Sequence, residues 1–283
     1  MQDKTILITG GNDGIGRATA QALAQKGATV ILACRNQGKG QAAREAMQKE
    51  TGNDRIDLIP LDLSDFSKIK TAADVFRKRY DKLDVLINNA AAFTSTLQKT
   101  AQGFEMQFGV NHLGHFLFTN LLLEPLKAAA TPRVLTVSSS AHYNGKIDFG
   151  NLRGEKGNYS GWPAYSQSKL ANLIFAREFA KQHPDIVSNA LHPGVVATRF
   201  GNKDTNWFIS LAWNIMKLGM VSPEKGAKTS VYLASAPEAG EFTGQYFNDK
   251  QQKKRGNPLS RDEELARKLW DYSLEQTERY FLI

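Results

Sequence analysis

The sequence has a single cysteine, Cys34, so no intrachain disulfide can brace the chain. That suits a reducing compartment, and Cys34 is expected to be a small buried residue. No window reaches ~18 consecutive apolar residues, the length a spanning helix needs. The nearest approach, WFISLAWNIMKLGMV at 207–221, is interrupted by Asn214 and Lys217. Internal repeats, low-complexity tracts and linkers are also missing, so one domain over 1–283 is expected. Acidic residues are in the minority, 28 against 36 Lys and Arg, for a net charge of +8. The excess is dispersed along the chain. Its one dense run, Lys250 to Arg255, lacks the interleaved aromatics of a nucleic-acid groove and reads as a polar C-terminal loop. No nucleic-acid partner is expected. The five histidines have no cluster of carboxylates or thiols beside them, and although His112 and His115 share a helix face, no metal is expected.

What is present is a regular alternation. β-branched, apolar runs occur at Thr5–Thr9, Thr29–Ala33, Ile56–Pro60, Asp84–Ile87, Arg133–Ser138 and Val187–Leu191, with a weaker one at Gln245–Phe247. Helix-length segments separate them at 14–26, 38–50, 65–80, 103–127, 163–183 and 222–235. Continuous apolar strands suit a parallel sheet covered on both faces. Right-handed crossovers then give an α/β, doubly wound, Rossmann-type domain with a mostly parallel, seven-stranded sheet. With a strand beginning at Thr5, no signal peptide or N-terminal anchor is expected, and we read the chain as soluble and cytoplasmic. Two insertions break the rhythm: a loop rich in Gly and Asn at 140–162 and a second insertion at 197–221. A C-terminal helix is expected over 260–283, with Ser260 as its cap and Glu263 completing a capping box.

Directly after the first strand comes TGGNDGIG, Thr9–Gly16, with Gly10, Gly14 and Gly16 spaced G-x-x-x-G-x-G. Glycines allow the tight turn, and the free amides of the following helix can cradle a pyrophosphate. A glycine-rich turn without a ligand is the bland alternative, but the strand–turn–helix setting is the one a dinucleotide site requires. Asn12, Asp13 and Ile15 lie in the same turn. The second strand ends Cys34-Arg35-Asn36, with no Asp or Glu to receive a ribose 2′-hydroxyl. Arg35, with Lys39 nearby, suits a 2′-phosphate instead, which favours NADP(H). Asp62-Leu63 could hold the adenine edge or merely start the next helix. Asn89 and Ala90, after the fourth strand, would line the same crevice.

AYSQSKLAN at 164–172 sets Tyr165 and Lys169 one helical turn apart. The spacing alone means little; Tyr246 and Lys250 repeat it in the basic loop. On a helix following the fifth strand, however, an ammonium beneath a phenol would stabilise the phenolate and lower its pKa, fitting the Tyr for proton transfer.

Taken in order, the glycine turn, Asn88-Asn89-Ala90, Asn111, the VSS at 137–139, Tyr165-x-x-x-Lys169 and His192-Pro193-Gly194 resemble the short-chain dehydrogenases/reductases over essentially the whole chain. SSSAH at 138–142, AYSQSKLAN and ACR at 33–35 look most like the retinol-dehydrogenase-like branch. Ala91 departs from the pattern, which usually has Gly there. The resemblance implies that Tyr165 is the general acid and base. Lys169 would bind the nicotinamide ribose, and Ser139 the substrate oxygen, with Ser138 as the fallback. Asn111 would hold a water joining Lys169 to solvent. Pro193, Gly194, Val196 and Thr198 would contact the nicotinamide end. An apolar aldehyde, ketone or alcohol is the implied substrate, touched by Ser139, His142, Trp207, Phe208 and Leu211. The 207–221 stretch could be a lid over the site, a core helix, an oligomer contact or a membrane-surface contact. A homo-oligomer is usual in the family. A non-catalytic NADP(H)-binding redox sensor is the alternative function.

Overall fold

The computed structural model describes residues 1–194 and 222–281. Val196, Thr198, Trp207, Phe208 and Leu211, and with them the lid expected at 197–221, lie outside the described residues. Among the described residues the strands are β1 (Thr5–Thr9), β2 (Thr29–Cys34), β3 (Ile56–Pro60), β4 (Val85–Asn88), β5 (Arg133–Val137), β6 (Val187–Leu191), β7 (Tyr246–Phe247) and β8 (Lys253–Lys254). They form one sheet in the order β3-β2-β1-β4-β5-β6-β7-β8. Every pairing is parallel except β7 with β8, where Tyr246 lies opposite Lys254 and Phe247 opposite Lys253.

The strand alternation sorts side chains onto two faces. Ile6, Ile8, Val30, Leu32, Val85 and Ile87 pack with α1 (Gly14–Gln25), α2 (Gln37–Thr51) and α8 (Pro223–Ser235). Leu7, Ile31, Leu86 and Val134 point the other way. They meet α3 (Phe66–Arg79), α5 (His115–Leu121), α7 (Gly161–Gln182) and α9 (Glu263–Thr277). Each buried Leu, Ile or Phe contributes about 1.5–3 kcal/mol of transfer free energy, so both helix layers are held firmly to the sheet. The strand order reverses between β1 and β4, which opens a crevice at their carboxyl ends.

Three elements differ from the sequence expectation. An eighth strand forms within the run expected to be a basic loop: Lys253 and Lys254 are exposed at the sheet edge, and the Lys253 ammonium lies 3.6 Å from the centroid of the Phe242 ring. The C-terminal helix begins at Glu263 with Asp262 as its cap, accepting from the Leu265 amide; Ser260 instead donates to the Asn257 carbonyl. The single helix expected over 103–127 is broken into α4 (Met106–Phe108), a π turn (Gly109–Gly114), α5 and α6 (Leu123–Lys127). Gly109 and Gly114 admit this turn by close packing: a Cβ on Gly114 would come within 2.7 Å of the Leu63 carbonyl oxygen.

Candidate active site

The glycine turn closes over the end of β1. Gly10 and Gly14 adopt left-handed φ values of 66° and 53°. A Cβ on Gly16 would lie 2.3 Å from the Gly10 carbonyl oxygen, so only hydrogen fits there. Asp13 caps α1 by accepting from the Gly14 amide at 2.8 Å. Beside this turn runs a cleft of about 270 Å³ lined by Asn12, Asp13, Arg17, Lys39, Ala42 and Ala43. Ile15 is partly exposed at the start of α1. Asn36 caps α2 by accepting from the Lys39 amide at 2.9 Å, which fixes the turn that displays Arg35 and Lys39 in solvent.

Opposite lies the loop after β4. The Thr9 hydroxyl oxygen is 2.9 Å from both the Asn89 and the Ala90 amide nitrogens and accepts from each. The Asn89 side chain donates back to the Thr9 carbonyl at 2.8 Å. Ala91 is not among the positive-φ residues, so the turn does not require a glycine there. Asp62 accepts from the Ser64 amide and hydroxyl, at 3.1 and 2.6 Å. Burial raises its pKa, but these bonds and the charges of Arg35 and Lys68 outweigh it and hold the carboxyl below its usual range. It thus shapes the turn into α3, whose cap is Asp65. The Leu63 side chain belongs to the core and leaves only its backbone for any ligand.

The last turn of β5 resolves the choice among the serines. Ser138 is buried and donates to the Lys169 carbonyl at 2.7 Å, a bond internal to the fold. Ser139 points the other way and hydrogen-bonds the Tyr165 hydroxyl. Lys169 is fully buried, with Nζ donating to the Val137 carbonyl at 2.9 Å and lying 5.6 Å from the centroid of the Tyr165 ring. Asn172 donates to the same carbonyl at 3.2 Å. Burial pushes the Lys169 ammonium down to about 7. It also pushes the Tyr165 phenol up to about 12, only partly offset by Ser139. The phenol therefore moves opposite to the sequence expectation. Desolvation dominates, and the amine donates to the Val137 carbonyl.

Asn111 sits in the π turn, fully buried. Its side chain accepts from the Ala92 amide at 2.6 Å and donates to the Ala92 carbonyl and to Ser168, at 3.1 and 3.0 Å. Ser168 in turn donates to the Tyr165 carbonyl at 2.8 Å. The side-chain amide of Asn111 is thus engaged by the protein. His142, expected to touch substrate, is fully buried behind Ser139, whose carbonyl oxygen lies 2.5 Å from its Nδ1. Its ring packs against Tyr143 and Tyr246, at 4.1 and 4.7 Å between centroids. These contacts enclose the ring within the protein. His192 bonds the Tyr246 hydroxyl at 2.6 Å, and Gly194, with φ 79°, follows Pro193 beside Asp249.

Two further residues join the site without having been singled out in the sequence. Phe93 and Trp162 are 36% and 55% exposed, and their rings lie 5.7 and 6.0 Å from that of Tyr165. Only the aromatic character of Trp162, one turn ahead of Tyr165, could have hinted at it. His115, considered in the sequence only as a metal candidate with His112, lies against Thr9 and the Asn111 carbonyl. Among the described residues no group of His, Cys, Asp and Glu could hold a metal, and no helix is long and apolar enough to cross a membrane.

A glycine cradle at the switch point of a doubly wound sheet, with hydroxyls and an amine converging beside it, defines a Rossmann-type oxidoreductase. The chain belongs to the short chain dehydrogenase family, whose sequence model matches residues 4–208. Retinol dehydrogenase 13 from Homo sapiens is 42% identical, over 94% of this chain and 82% of its own. Retinol dehydrogenase 12 from Mus musculus is 42% identical, over 96% and 85%. Among solved structures, an uncharacterized protein from Mycobacterium paratuberculosis superposes with a TM-score of 0.79 at 34% identity, covering 98% of this chain and 94% of its own. A short chain dehydrogenase from Shigella flexneri, complexed with NADP, shares the fold at a TM-score of 0.70 and 24% identity, over 88% of this chain and 98% of its own.

Proposed function

We propose that this protein is an NADP(H)-dependent oxidoreductase acting on an apolar carbonyl or alcohol, with Tyr165 exchanging the proton, and that residues 1–283 work as one domain. The observation that carries it is the meeting of the Ser139 and Tyr165 hydroxyls above the buried Lys169, with exposed Phe93 and Trp162 alongside.

The residues fit a dinucleotide. The backbone around Gly10, Gly14 and Gly16 is left bare of side chains where a pyrophosphate would approach the start of α1. Arg35 and Lys39 offer cations, and no carboxylate stands at the end of β2 to repel a 2′-phosphate. The NADP-bound neighbour agrees with that choice. Asn89, Ala90, Pro193 and Gly194 would flank the nicotinamide end. When bound, the nicotinamide gives or takes the hydride.

The remaining work falls to the chain. Reduction builds negative charge on the substrate oxygen, and Ser139 and Tyr165 donate hydrogen bonds to it, most strongly as that charge develops. Tyr165 then delivers its proton, or receives one in the reverse direction. A phenol held up near 12 stays protonated and ready to donate at neutral pH. Lys169, poised near 7, can exchange a proton close by. Phe93 and Trp162 give an apolar substrate something to lie against.

The test is loss of NADPH absorbance against a panel of aldehydes, ketones and quinones. Turnover of apolar carbonyls is expected. Tight NADPH binding with no turnover of any member would favour a sensor instead.

A further inference from the structure

His115 stands between the two halves of the site. It is 1% exposed. Its Nδ1 lies 3.0 Å from the Asn111 carbonyl oxygen and its Nε2 lies 2.9 Å from the Thr9 hydroxyl. A carbonyl can only accept, so Nδ1 must carry the proton. Burial pushes the ring down to about 4, and the Lys169 charge pushes the same way, so the imidazole is neutral and Nε2 is an acceptor. The Thr9 hydroxyl therefore donates to His115, leaving its oxygen free to accept from the Asn89 and Ala90 amides. A continuous hydrogen-bonded strap results. It runs from the 89–90 amides to Thr9, His115 and Asn111, and from the Asn111 side chain through Ser168 to the backbone of Tyr165.

We propose that His115 is a positioning residue, which in its Nδ1–H tautomer ties the cofactor crevice at Thr9, Asn89 and Ala90 to the Asn111–Tyr165 side of the active site. The chemistry it serves is the one proposed above. Its two nitrogens have separate tasks: Nε2 holds the crevice turn through Thr9, and Nδ1 holds the Asn111 carbonyl and so the π turn against α7. A residue that only filled space would have neither polarity nor direction to its effect.

Two conservative variants separate the tasks. In His115→Asn the amide occupies the place of Nδ1, keeping the Asn111 contact and losing Thr9. In His115→Gln the amide reaches the place of Nε2 and does the opposite. We expect H115N to weaken NADPH binding about fivefold, read by fluorescence titration without substrate, while kcat at saturating NADPH falls less than threefold. We expect H115Q to bind NADPH within twofold of the parent and to lose about tenfold in kcat. Thr9→Val should weaken NADPH binding at least as much as H115N, because it also removes the acceptor of the Asn89 and Ala90 amides, and T9V/H115N should bind no more weakly than T9V alone, since H115N cuts a bond that T9V already lacks. Equal losses in both His115 variants, no loss in either, or additive losses in the double variant would overturn the proposal. Should the variants not fold, ¹⁵N NMR of the histidine-labelled parent protein reads the tautomer directly, and an Nε2–H or doubly protonated His115 at neutral pH also overturns it. Tyr165→Phe serves as the control: if it still turns over substrate, the catalytic assignment fails, whatever His115 does.

Discussion

Two neighbouring serines at the end of β5 have opposite fates because successive residues of an extended backbone face opposite ways. Ser138 is drawn into α7 by the Lys169 carbonyl and Ser139 is turned to Tyr165. Tyr165→Phe removes the transferable proton and little volume, so turnover should be abolished with NADPH affinity within twofold, checked by fluorescence titration beside the rate assay. Trp162→Ala removes an exposed ring next to Tyr165, an interaction of about 1 kcal/mol for an aromatic contact. We expect the KM for a long-chain aldehyde to rise about fivefold, with kcat and the KM for a short aldehyde little changed, read from steady-state kinetics. At this scale the sequence carried the identities of the site but not their bonding. Tyr165, Lys169 and Ser139 were pointed to by the resemblance, not by spacing alone. The engagement of Lys169 with Val137 and the burial of His142 depend on contacts from residues far along the chain, which no local pattern encodes.

Among the elements, α1 and the turn before it are the most constrained. Gly16→Ala places a methyl against the rigid Gly10 carbonyl, and against the Asn89 side chain that is itself bonded to Thr9. Overpacking of this kind costs about 1–3 kcal/mol. Calorimetry should show a lower Tm and NADPH binding weakened at least tenfold. The strands were legible because they are short apolar runs bounded by turn residues, and β1, β3 and β6 fall where the pattern predicts. β8 was not, because Lys253 and Lys254 have no strand preference and pair only because β7 is beside them. The π turn at 109–114 was hidden too: one extra residue in a helix leaves the run of apolar side chains nearly unchanged, though it decides where Asn111 and His115 point.

For the whole molecule, the buried titratable groups set the dependence of stability on pH. Burial pushes His112, His115 and His142 to about 3, 4 and 4, well below the ordinary 6.5 of an imidazole. Between those values and 6.5 the unfolded chain binds protons that the fold refuses, so stability should fall on acidification from about 6.5 toward 4. Each such histidine contributes about 1.4 kcal/mol per pH unit at most. Lys169, lowered from 10.5 to about 7, has the same sign in an alkaline window: stability should rise between about 7 and 10.5. From about 9 the Cys34 thiol, pushed up to about 11 by burial, and above about 10 the raised phenols of Tyr80, Tyr159, Tyr165 and Tyr246 oppose this, because the unfolded chain ionises first. Urea unfolding across pH should show the neutral-to-alkaline rise in the parent protein and its loss in Lys169→Met. The short antiparallel strand at the end of the sheet has a different consequence. Another chain seeking to extend the ladder at β8 would meet a fringe of ammonium groups, and a second copy docking there edge to edge would set lysine against lysine. Fibril-like growth is therefore discouraged on that flank.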